Sequence, residues 1–324
     1  MRAAVLYSVD DIRVEERPVP EIGAGELLVR TRACGICSGD VMGWYVKRKA
    51  PLVFGHEPAG VVEAAGEGAP FSKGDRVFAH HHAPCFACEA CERGDHVQCE
   101  RWRATALDPG GMAEFFRVPR ENVRDTLRLP DAVSFEDASL VEPLACVVKS
   151  LRRGGVTSGD SVAVMGLGVM GQLHVLAARE LGARVVGSDF NEERRALAER
   201  NGAQTVHPKD VPPADVVVCG PGTPEALSAA LASVRPGGTV VMFTPFDPRA
   251  SVALDAERFY FKDLRLVASY SCGPDDTREA LRLIASGAAT AERVGAVRFS
   301  LADVAEAHRA LAQARIVKPI VTFA

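Results

Sequence analysis

The stretch from Ser161 to Asp189 constrains this chain more than any other. SVAVMG (161–166) reads as a buried strand. The turn Gly166-Leu167-Gly168-Val169-Met170-Gly171 follows it, and GVMGQLHVLAAREL then places Leu173, Leu176, Ala177 and Leu181 on one face of a helix. ARVVGSD (183–189) is a second strand, ending on Asp189. Glycines at these positions permit a tight turn and let backbone approach a pyrophosphate, which the helix N-terminus stabilises. Asp189 is placed to accept a hydrogen bond from an adenosine ribose 2′-hydroxyl. A carboxylate there repels a 2′-phosphate, which favours NAD over NADP, although Arg194 and Arg195 lie a helical turn onward.

The same grammar continues. NEERRALAERNG (191–202) is a helix, DVVVCG (215–220) a strand, TPEALSAALASV a helix and GTVVMFTP (238–245) a strand, which together predict a parallel, doubly wound sheet. Before residue 140 the pattern differs. Short runs such as LLVRTRA, GVVEAAG and DRVFAHH, separated by Gly and Pro, predict a mostly antiparallel β domain. Beyond Cys272 come two helical patterns, TREALRLIASG and LADVAEAHRALAQA, and a strand, KPIVTFA. A chain of 324 residues is long enough for about two domains.

Nine cysteines, with no secretory leader in the first residues, argue against a disulfide framework and for a reduced, cytoplasmic protein. No run approaches the ~20 apolar residues of a membrane span. Cys85, Cys88, Cys91 and Cys99 offer four thiolates in one short loop, which suits a closed tetrahedral structural zinc site. Cys37, His56 with Glu57, and Glu142 lie in three separate segments. One sulfur, one imidazole and one carboxylate would make an open catalytic site, if the fold brings them together. Cys34 and Cys37 have redox-pair spacing but no thioredoxin-like surroundings, so Cys34 reads as packing. In strand alternation His80, His81 and His82 cannot all face one metal. His174 reads as packed rather than catalytic. The net charge of −4, from 38 basic and 42 acidic residues, gives no footprint for nucleic acid or acidic membranes.

Taken together, GIC at 35–37 with Asp40, GHEPAGVVEAAG at 55–66, KGDRV at 73–77, the four-cysteine lobe, EPLAC and the glycine loop resemble the zinc-dependent medium-chain alcohol/polyol dehydrogenases. The resemblance covers nearly the whole chain. It implies a GroES-like catalytic domain (1–145), a Rossmann NAD-binding domain (146–273) and a return segment (274–324) that completes the first. It implies two zinc ions per chain: a structural one on the four cysteines, and a catalytic one on Cys37, His56 and Glu142. Asp40 would orient the zinc-bound histidine, and Glu57 could approach or exchange at the metal. Trp44 and Tyr45 would line the substrate cleft. Lys318 stands where some relatives place an arginine over the pyrophosphate. Glutamate at 142, where simple alcohol dehydrogenases have cysteine, leans toward polyols or sugar-derived alcohols. The usual serine and histidine of the proton relay are replaced by Gly39 and Met42, which leaves Glu57, Tyr45 or water as carriers. The expected activity is hydride transfer between NAD and a secondary alcohol, by a homo-oligomer, dimer or tetramer. The alternatives are a simple alcohol dehydrogenase, a zinc-free NADPH quinone or enone reductase, and a non-catalytic dinucleotide sensor.

Overall fold

Val162, Ala163, Val164 and Met165 are all buried in the strand Ser161–Met165, because that strand lies inside a sheet covered on both faces. The computed structural model describes residues 1–324. Six parallel strands make up this sheet, in the spatial order Gln204–Val206, Arg184–Ser188, Ser161–Met165, Ala214–Cys219, Val234–Met242 and Arg265–Ala268. The order reverses between Ser161–Met165 and Ala214–Cys219, and the carboxyl ends of those two strands are where open α/β sheets hold ligands. The sheet belongs to one of two compact units, Leu144–Ser271. The predicted strands and helices of this unit form within a few residues of their expected bounds, except that Val234–Met242 begins four residues early. Leu181, expected on the apolar face of its helix, is instead the C-cap and is 45% exposed.

His174 lies on the helix Val169–Glu180 and is packed. Its Nδ1 bonds the Met170 carbonyl at 2.7 Å, its Nε2 meets the Ser150 hydroxyl at 2.8 Å, and its ring stands edge-on to Phe243. Burial lowers its pKa to about 4. The unfolded chain therefore binds this proton near pH 6.5 while the folded chain does not. Stability from this residue is present above pH 6.5 and is lost as pH falls toward 4. Urea unfolding at stepped pH should show wild type losing up to about 3 kcal/mol over this window relative to His174→Gln. Parallel pH profiles for the two proteins would show that His174 is accessible to protons in the folded state.

The second unit combines Met1–Pro143 with Cys272–Ala324. Its main sheet runs in the order Ala296–Ser300, Lys318–Thr322, Leu27–Gly35, Glu57–Ala65, Arg76–Ala79 and Thr126–Arg128, with Phe115–Val118 also paired to Leu27–Gly35. The strand Lys318–Thr322 thus sits between a parallel neighbour close to it in sequence and an antiparallel one from the start of the chain. Two apolar clusters fill this unit, one around Leu6, Ile36, Phe54 and Met112, the other around Leu27, Phe71, Val77 and Phe116. The cysteine lobe has a much smaller core of Cys91, Val97, Cys99 and Trp102. No helix of the chain is long and apolar enough to cross a membrane.

Candidate active site and metal centres

Strand register explains how residues far apart in sequence meet. Gly35 pairs with Glu57 across the ladder between Leu27–Gly35 and Glu57–Ala65. Cys37, just past the end of one strand, therefore comes beside His56, just before the start of the other. The Cys37 sulfur, an imidazole nitrogen of His56 and a carboxylate oxygen of Glu57 lie within 4.8 Å of one another. Cys37 also opens the short turn Ser38–Val41, where the Gly39 N–H donates to its sulfur at 3.3 Å.

Glu57 is buried and ion-paired with Lys318, whose ammonium also donates to the Ile36 carbonyl at 3.1 Å. This packing requires glycine at 35, since a Cβ there would lie 1.9 Å from Glu57 Oε2 and 2.8 Å from Lys318 Nζ. Lys318 is fully buried. The lysine expected over a pyrophosphate bonds Glu57 and a backbone carbonyl in this structure. Burial pushes the Glu57 carboxyl up, while Lys318 and His56 pull against that shift. Glu57 Oε1 is buried with no hydrogen-bond partner in the protein, a costly arrangement for a carboxylate oxygen unless something else is bound there. An unpartnered oxygen next to a thiol and an imidazole fits a zinc ion in type and number of donors.

Glu142 lies in the first turn of the helix Val141–Gly154 and is buried. The group within 4.8 Å of Cys37 and His56 has Glu57 as its carboxylate; Glu142 stands nearby and contributes charge. Burial disfavours a charged His56, but Cys37, Asp40 and Glu142 outweigh it and hold the imidazole well above its usual range. The Asp40 carboxylate accepts from the Cys37 backbone N–H at 3.2 Å, completing a capping box. It makes no hydrogen bond to His56, so the histidine-orienting contact expected of it is absent here. Trp44 and Tyr45 follow on the turn Gly43–Val46, half-buried and edge-to-face at 5.6 Å.

The strand Arg76–Ala79 ends just before the three consecutive histidines, of which His81 and His82 lie ring to ring at 4.2 Å beside Trp102. His81 lies 5.0 Å from the His56 ring, and His82 lies 4.3 Å from Trp102. His80 is fully buried, with Nδ1 2.6 Å from Asp125 and Nε2 3.5 Å from the Cys272 sulfur. Nothing in the local sequence pointed to this Cys–His–Asp arrangement, whose members are scattered along the chain. Cys34 is buried and its thiol is raised by that burial, as packing implies.

In the lobe, the sulfurs of Cys85, Cys88, Cys91 and Cys99 lie within 4.8 Å of one another, which is the donor set of a closed zinc site. The Ala87 N–H, at 3.4 Å from the Cys85 sulfur, leads the effects that lower the Cys85 thiol to about 6 and ready it as a thiolate ligand.

In the other unit, Gly166 has φ +86°, and a Cβ on Gly171 would sit 2.0 Å from the Gly166 carbonyl oxygen. A Cβ on Gly168 would meet nothing within 4 Å. The loop is thus closed on itself and open outward at Gly168, which caps the helix without a side-chain bond. Asp189 fixes the turn: one oxygen accepts from the Leu167 N–H at 2.7 Å, the other from the Asn191 N–H at 2.8 Å. Arg194 stands 3.8 Å from it. A bare helix N-terminus beside a carboxylate on the neighbouring strand end fits a dinucleotide.

Residues 23–131 match the family description "Alcohol dehydrogenase GroES-like domain", and residues 169–286 match "Zinc-binding dehydrogenase". The chain is 31% identical over 311 residues to "Probable D-xylulose reductase A" of Neosartorya fischeri, covering 87% of this chain and 86% of that protein. It belongs to the zinc-dependent medium-chain alcohol/polyol dehydrogenase family. Sorbitol dehydrogenase of Bacillus subtilis is another relative of this dehydrogenase, 32% identical over 75% of this chain and 74% of its own. Among solved structures, a zinc-binding dehydrogenase from Sinorhizobium meliloti bound to NADP is 30% identical with TM-score 0.90, covering 99% of each chain. The alcohol dehydrogenase of Thermus sp. ATN1 is 29% identical with TM-score 0.90, covering 100% of each chain.

Proposed function

We propose that this dehydrogenase is an NAD-linked enzyme that oxidises a secondary alcohol of a polyol or sugar-like substrate and works as a homo-oligomer. The observation that carries the reading is the thiol–imidazole–carboxylate group of Cys37, His56 and Glu57, with Glu142 as a second carboxylate beside it. The relatives named D-xylulose reductase and sorbitol dehydrogenase support the substrate class. Cys37 and His56, with Glu57 or Glu142, would hold one zinc ion, and Cys85, Cys88, Cys91 and Cys99 a second. Bound zinc supplies the Lewis acidity that makes an alcohol more acidic, and NAD is the hydride acceptor.

The chain's own residues do the positioning. Asp40 and the Gly39 N–H hold Cys37 at its backbone and sulfur, and Lys318 fixes one oxygen of Glu57 while leaving the other available. Glu57 and Tyr45 are the groups near the site that can carry the alcohol proton. The donor sets count against a zinc-free enone reductase, and turnover of any polyol would exclude a dinucleotide sensor.

One similar structure holds NADP, so cofactor choice is the point to test. Asp189 supports NAD. A panel of polyols, sugars and simple alcohols should give higher kcat/KM with NAD than with NADP, and Asp189→Ser should narrow that gap at least tenfold, or about 1.4 kcal/mol. A wild-type preference for NADP would mean that Arg194 and Arg195 govern the site instead.

A further inference from the structure

Tyr45 leads into an unusual run of charge. Lys47, Arg48 and Lys49 follow after the buried Val46, and all three are exposed. No Asp or Glu occurs between Val41 and His56. The acids that bracket the run, Asp40 and Glu57, are buried and already engaged, with the Cys37 N–H and with Lys318. None of the three cations makes an ion pair, in a chain where most surface arginines do: Arg2, Arg13, Arg17, Arg30 and Arg93 each hold a carboxylate. The run is therefore a concentration of uncompensated positive charge on a protein of net charge −4.

Its place in the fold gives that charge a direction. The Lys49 ammonium donates to the Tyr45 hydroxyl at 2.6 Å and lies over the Tyr45 ring. The same ring stands next to the metal cluster, since a Cβ added to Gly39 would be 3.6 Å from both Cys37 Sγ and Tyr45 Cε1. A lysine folded back over an aromatic ring that stands beside the metal cluster, with two more exposed cations just before it in the chain, suits an anion that is part of the substrate. Ion pairing at such a rim acts on affinity and encounter rate and weakens with salt.

We infer that Lys47, Arg48 and Lys49 form a subsite for an anionic group on the substrate, so that this enzyme prefers a polyol bearing a phosphomonoester or carboxylate to the neutral polyol. The inference rests on the polyol reading above and narrows its substrate class. The alcohol is oxidised as before, its hydride passing to the nicotinamide and its proton to solvent, while the anionic group is unchanged.

The test compares a hexitol, its terminal phosphomonoester and the corresponding aldonate on the holoenzyme, by turnover and by equilibrium binding to the enzyme alone. The expected result is at least tenfold tighter binding and higher kcat/KM for one of the anionic compounds, reduced by raising the salt. The variant K47A/R48A/K49A should lose at least tenfold of that preference, and the charge-preserving K47R/R48K/K49R should keep most of it. The phosphomonoester and aldonate arms show which anion is taken. Neutral hexitol bound and turned over as well as both anions would overturn the subsite while leaving the polyol reading intact. If no compound is turned over, that reading fails, and the binding comparison still decides the subsite: equal affinities overturn it, and a salt-sensitive preference for an anion supports it.

Discussion

Replacing Cys91 or Cys99 by serine should remove the zinc ion proposed for the cysteine lobe and lower the melting temperature by at least about 10 °C. The reason is the size of the lobe's core. Cys91, Val97, Cys99 and Trp102 are its buried apolar residues, too few to hold a loop of this length against its conformational entropy. Metal binding then supplies folding free energy directly, and structural zinc sites in peptides contribute about 10–16 kcal/mol. Only part of that is lost here, because the rest of the unit folds on its own clusters; several kcal/mol at roughly 2–4 °C each gives the expected shift. Serine nearly preserves volume, so the loss cannot be assigned to a cavity. Metal analysis paired with calorimetry checks the result, and unchanged zinc content and melting in either variant would remove the structural assignment.

Lys318→Met should destabilise the protein by about 3–5 kcal/mol, because it leaves the Glu57 carboxylate buried and unpaired. Methionine fills a similar volume, so packing is largely kept. The double variant Glu57→Gln with Lys318→Met should recover much of the loss, since it removes both charges together. Urea midpoints report the energies, and zinc content reports whether Glu57 still serves the cluster in each variant. A single variant within about 1 kcal/mol of wild type would show that the pair is hydrated in solution rather than buried.

Local grammar made the parallel sheet and the cysteine lobe readable. The glycine loop and the strands flanking it carry their own signals within thirty residues, and the four cysteines lie in one loop, so neither depends on distant contacts. The site around Cys37 is different. That Cys37, His56 and Glu57 meet follows from the pairing of Gly35 with Glu57, which a motif scan does not see. The Lys318–Glu57 pair joins residues 261 apart, and no sequence period signals it. Asp40 accepts from the Cys37 N–H, a near donor for a carboxylate three residues after an N-cap, and it acts on His56 through its charge. For the three histidines strand alternation was the wrong premise, because the strand stops at Ala79, and His81 and His82 then come together beside Trp102 while His80 meets Asp125.

The placement of Lys318–Thr322 between two strands of the catalytic unit has a consequence for how the molecule is made. On the ribosome the first 143 residues emerge with the central sheet still lacking this strand and with Glu57 lacking its lysine. The unit Leu144–Ser271 emerges whole and can fold while synthesis continues, since domains fold as units as they appear. The earlier segment must wait, its strand edge at Cys34 and Gly35 unpaired, until residues 318–322 have been made. Slowing translation therefore lengthens the exposure of that edge, where another chain could add a strand, without hastening completion of the sheet.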